Sequence, residues 1–103
     1  MTTQDMNVIF SAGAAVRSAV PAAVARHKCA GELTWRLLHR MESEVLAEVA
    51  ASGKHDERVL NMFQAASLRR FPKDNRPVSF DSSDFIPIVY GTIIDVWHVA
   101  VGH

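Results

Sequence analysis

Asp95 and His98 stand three residues apart near the end of the chain. On a helix this spacing puts both on one face, where a carboxylate can orient an imidazole for proton transfer. Acid–base work also needs a pocket and a third group, and the sequence displays neither. The plainer role is a solvent-facing polar strip, with His98 near a helix C-terminus that favours its cationic form. His39 and Glu42 repeat the spacing and could contribute to a metal site. Helical metal sites draw two ligands from one helix and more from another, however, and no second pair of that kind recurs. A solvated helix face is therefore the expected setting of His39 and Glu42. His27 and Lys28 would set cations beside the Cys29 thiol, a condition that lowers a thiol pKa, although a lone cysteine near a helix end ordinarily packs as a small residue.

The densest charge lies in "LRRFPKDNR", where Arg69, Arg70, Lys73 and Arg76 surround Phe71. Cations interleaved with an aromatic ring suit phosphates. Asp74 interrupts them, and a helix C-terminus attracts such residues for structural reasons. A helix-turn-helix with Gly53 in its turn fits poorly, because Glu48 and Ser52 fall where apolar contacts are required. No glycine-rich phosphate loop, zinc spacing or nucleophile elbow occurs. The residues thus assign no catalytic group, no metal ligand and no cofactor, and an enzyme is the less expected class.

The elements that must position these groups follow from composition and periodicity. The chain has 103 residues, enough for one domain (residues 1–103) with its own core. Formal net charge is zero, which removes any global attraction to polyanions. By segment the charge runs +2 over residues 1–31, −2 over 32–53, +3 over 54–77 and −3 over 81–103, a pattern suited to internal or intersubunit pairing. A single cysteine excludes an internal disulfide and makes a reducing, cytoplasmic setting the default expectation. Residues 6–25 end in Ala23-Val24-Ala25 like a signal-peptidase site, but Asp5 precedes them without any Lys or Arg, and Arg17 interrupts the apolar run.

Val8, Ala12, Val16, Val20 and Val24 recur every fourth position and predict a helix from Gln4 to about Lys28, kinked or split at Pro21 and stopped by Gly31. Thr34 can cap a second helix whose stripe is Leu37, Leu38, Met41, Val45 and Val49, ended by Gly53. Asp56 begins a third, with Val59, Met62, Phe63 and Ala66 on its apolar face, closed before Pro72. Residues 72–84 read as a loop.

The last stretch, "FIPIVYGTIIDVWHVAVGH", is too short and too polar for a membrane span. Gly91-Thr92 has the form of a hairpin turn. Yet alternate residues leave neither strand face polar, whereas a period of 3.6 gathers Asp84, Gly91, Asp95, His98 and Gly102 into one narrow sector. A helix is expected, capped by Ser82 or Ser83, and the fold class is an all-α four-helix bundle-like domain. The alternative is α+β with a hairpin over residues 86–101.

That helix has an apolar arc wider than one core face needs. Either it runs through the centre of the domain or another chain covers it, with Tyr90, Ile93, Val96, Trp97 and Ala100 as the interface. The functional expectation is a small protein–protein interaction module (an adaptor, inhibitor or accessory regulator), paired with itself as a homodimer or with another protein, and independent of membrane. A nucleic-acid-binding regulator using Arg69, Arg70, Lys73 and Arg76 is the first alternative. A small ligand-binding domain or enzyme around Asp95, His98 and His39 is the second.

Overall fold

The computed structural model describes residues 3–68, 71–81 and 86–102, with side chains described over 6–65, 71–81 and 86–102. Four helices follow one another: α1 (Thr3–His27), α2 (Trp35–Ala51), α3 (Glu57–Leu68) and α4 (Ile88–Ala100). Among the described residues there is no strand, and one isolated antiparallel bridge joins Thr34 to Pro77. The all-α expectation therefore holds, and residues 88–100 form a helix where the hairpin alternative placed strands.

The four-residue recurrence in α1 becomes its buried stripe, with Ala12, Val16, Val20, Ala23 and Val24 all in the core. Alanine and valine keep this stripe shallow, so α1 lies close to α2 and α4, its main neighbours. Pro21 does not split the helix, which runs unbroken for 25 residues. Both Pro21 and Arg17 lie on the exposed side. Water can therefore satisfy the carbonyl that loses its amide partner, while the opposite, buried face stays continuous. Met6–Ala30 is also long and apolar enough to cross a membrane by length and composition alone, yet 33% of its apolar window is buried inside this fold.

A short 3-10 turn, Lys28–Ala30, follows α1 and ends at Gly31. Gly31 was expected as a left-handed helix stop. Its φ of 86° and ψ of −65°, with the Glu32 amide donating to the Ala30 carbonyl at 3.1 Å, instead make a tight γ-turn, a conformation open to glycine.

The first amide groups of α2 have no partners within the helix. Thr34 Oγ1 accepts from the Leu37 amide at 3.3 Å, as its position predicts. The Trp35 amide donates to the Arg76 carbonyl at 3.0 Å and the Arg36 amide to the Asp74 carbonyl at 2.8 Å. Val78 in turn donates to the Leu33 carbonyl at 3.1 Å. The loop after α3 is thus strapped across the start of α2 by backbone bonds. Aromatic rings fasten it from the inside. Trp35 stacks on Phe71 at 5.2 Å between ring centres, meets Phe80 edge-on at 5.2 Å, and leans on Tyr90 of α4 at 6.3 Å.

Two boundaries differ from expectation. In α3 the residue turned fully inward is Leu60, while Met62 is 62% exposed; the apolar face is rotated because α3 packs chiefly on α2. Helix α4 begins at Ile88, with Pro87 in extended backbone (ψ 143°) at its N-cap and no side-chain cap. The expected caps Ser82 and Ser83 lie outside the described residues, as does Asp84.

Candidate functional site

Leu38, Glu42, Val45 and Val49 succeed one another at helical spacing on α2, and all four are buried. Glu42, expected on a solvated face, is 0% exposed. The helix phase decides this: position 42 lies four after Leu38 and three before Val45, within the stripe that α1 and α4 cover. Its neighbour His39 is partly exposed, and His39 Nδ1 lies 3.6 Å from Glu42 Oε1. That is too long for a hydrogen bond. His39 Nδ1 is buried and has no hydrogen-bond partner.

Burial and then the positive charge of Lys73 hold the His39 imidazole below its ordinary value of 6.5. Because the folded value is the lower one, the unfolded chain binds this proton more readily. The stability that His39 contributes is therefore present above about pH 6.5 and is lost as pH falls through the folded value. Thermal unfolding followed from about pH 7.5 to about pH 5 should show a falling Tm, and His39→Gln should flatten that slope. An unchanged slope in the variant would show that the imidazole is not held neutral.

A second polar region lies on the outer side of α2. Arg36 and Arg40 are exposed and four residues apart. On an isolated helix Glu44 would pair with Arg40 one turn before it. It turns instead to α1, where His27 Nε2 meets Glu44 Oε2 at 2.5 Å and Arg26 Nε donates to Glu44 Oε1 at 3.3 Å. The loop contributes Lys73, Asp74, Asn75 and Arg76. Asp74 is bound by its near neighbour: Arg76 Nε donates to both carboxylate oxygens at 2.9 and 2.8 Å, and the Arg76 amide donates at 3.0 Å. These bonds hold the Asp74 carboxyl below the usual carboxylate range. Among the expected phosphate-binding cations, Arg76 is thus neutralised locally and Lys73 lies near enough to His39 to lower its pKa by charge, while Arg69 and Arg70 lie outside the described residues. Sequence reading missed that α2 supplies two further cations to the same edge.

The expected interface on α4 requires correction. Tyr90, Ile93 and Trp97 are buried within this single chain, at 1%, 0% and 2% exposure. Helices α1, α2 and α3 cover them together with the loop rings Phe71 and Phe80. The wide apolar arc of α4 is therefore covered largely from within the chain. Val96 is half-buried and Ala100 exposed, so only the margin of that surface faces outward. Asp95 and His98 lie on the exposed side of α4. Cys29 is exposed with a free thiol. Among the described residues no three His, Cys, Asp or Glu side chains gather as metal ligands would.

A family model described as "Protein of unknown function (DUF2471)" matches the chain over residues 3–102. No curated protein and no solved structure matches it.

Proposed function

Since the chain belongs to the DUF2471 family over nearly its whole length, we propose from its own surface that it is a protein–protein interaction module that pairs with a second copy of itself through the outer face of α1. The observation that carries this reading is the exposure of Met6 and Phe10, one turn apart at the start of α1, at 44% and 65%. Large apolar side chains grouped on a helix surface lose contact with water when a partner covers them.

The same face continues in a form that suits helix pairing. At 100° per residue, Phe10, Ala14, Pro21 and Ala25 fall within about 60° of one another, opposite the buried stripe. Three of them are small or compact, so another helix can approach closely. Arg17 is the only charged residue from 6 to 25, and the chain carries no net charge, so two copies meet without long-range repulsion. The Tyr90 and Trp97 surface is no longer needed for the pairing.

Sedimentation equilibrium of the intact protein tests this. The natural chain should form a concentration-dependent dimer. Phe10→Asp should raise the dissociation constant at least about tenfold, as removal of an apolar anchor does, with an unchanged circular dichroism spectrum. A chain that stays monomeric at its highest soluble concentration would remove the proposal.

A further inference from the structure

We propose that the cleft at the start of α2 binds a small phosphate dianion, gripped by Arg36 and Arg40. The cleft has a volume of about 330 Å³ and is lined by Thr34, Arg36, Arg40 and Asn75, with Leu37 and Ala30 as its apolar wall and Glu32 at its edge. The inference is independent of the α1 pairing surface.

The argument rests on where the fold sends its carboxylates. On an isolated helix Arg40 would meet Glu44 one turn on. Here Glu44 is taken by Arg26 and His27 of α1. Arg36 lies near enough to Asp74 to lower its pKa by charge, but the oxygens of Asp74 are bound by Arg76. Neither Arg36 nor Arg40 makes a side-chain hydrogen bond or ion pair among the described residues. Two guanidinium groups therefore flank one cleft with their donors unused, an arrangement suited to charge-assisted bonds with phosphate oxygens.

Neutral donors complete the set. Thr34 Oγ1 accepts from the Leu37 amide, which leaves its hydroxyl proton available to donate. Asn75 brings a side-chain amide with two further donors. The helix amides take no part, because the Trp35 and Arg36 N–H groups already donate to loop carbonyls. Side chains, not the helix end, form the site. Glu32 opposes an anion from the rim, which gives the proposal a signed test. A nucleic-acid backbone would need a row of several cations, whereas this cleft presents two, so the ligand is a compact phosphate group.

The test is a titration of the intact protein with inorganic phosphate at low salt, followed by amide chemical shifts, with sulfate and a short oligonucleotide as parallel arms. Phosphate should produce saturable shifts at residues 34–40 and at Asn75. Arg36→Gln and Arg40→Gln should each weaken binding about tenfold, and Glu32→Gln should tighten it. Both arginines are exposed, so the variants should fold as the natural chain does. Shifts that never saturate, or an affinity unchanged in the Arg36→Gln/Arg40→Gln double variant, would overturn the site. Binding of the oligonucleotide alone would overturn it in favour of a polyanion surface, and equal affinity for sulfate would confine the site to general anion binding and overturn the phosphate assignment.

Discussion

Replacing Trp35 with alanine should remove about 3–5 kcal/mol of folding stability, the largest loss expected from any single truncation in this chain. Trp35 is buried at the first turn of α2 and touches three other rings. Phe71 and Phe80 belong to the loop and Tyr90 to α4, so one side chain joins three parts of the fold. Phe71 also meets Phe80 at 5.4 Å and Tyr90 at 5.7 Å, which makes the cluster mutually supporting. Its loss creates a cavity and loosens the loop whose Arg76 and Asp74 carbonyls cap α2, so packing and capping fail together. A domain of this size has roughly 5–15 kcal/mol in total. Urea unfolding followed by circular dichroism should show a much lower midpoint with an unchanged slope. Trp35→Phe should recover part of the loss, because a smaller ring keeps one stacking contact. An unfolding free energy within about 0.5 kcal/mol of the natural chain's would mean that the ring cluster does not hold the loop.

Ile93→Ala should cost about 2–5 kcal/mol, and the loss should not depend on protein concentration. Ile93 is completely buried in the middle of α4. If it belonged to a surface covered only by a second chain, its truncation would weaken association and leave the isolated chain as stable as before. As a core residue it destabilises each chain by itself, through lost burial and the void left behind. Val99, 81% exposed on the same helix, supplies the contrast. Val99→Ala should change stability by no more than about 0.5 kcal/mol. Thermal unfolding of both variants across a wide range of concentrations separates the two roles. A concentration-dependent loss in Ile93→Ala would return this residue to an interface.

The apolar periodicity made most of the helical architecture legible. In α1 the four-residue recurrence marked the face that is buried, and in α4 the gathering of Asp95 and His98 into one sector distinguished helix from hairpin. Thr34 was readable as a cap because a side-chain oxygen before a helix has few other tasks. The errors share a cause. Helical phase says which residues share a face but not how far around the helix its neighbours reach. Glu42 and Leu38 share a stripe, yet the polarity of Glu42 suggested water. On α3, Leu60 and Met62 exchanged roles because the direction of α2 chose the inward face.

The candidate sites were less legible, because each depends on residues remote in sequence. That Glu44 pairs across to α1 and so leaves Arg40 available follows from the α1–α2 packing, not from the spacing of 40 and 44. That Tyr90 and Trp97 are covered from within depends on a loop whose path is set by its bonds to the start of α2. The sequence by itself determined that the chain is helical, where most helices lie and which stripes are apolar, since those properties follow from local sterics and from burial at a fixed period. Only the tertiary structure decided what covers the wide apolar arc of α4, which charges are spent on one another and which apolar surface is left outside. Those outcomes depend on distances between segments far apart in the chain, and a linear pattern carries no record of them.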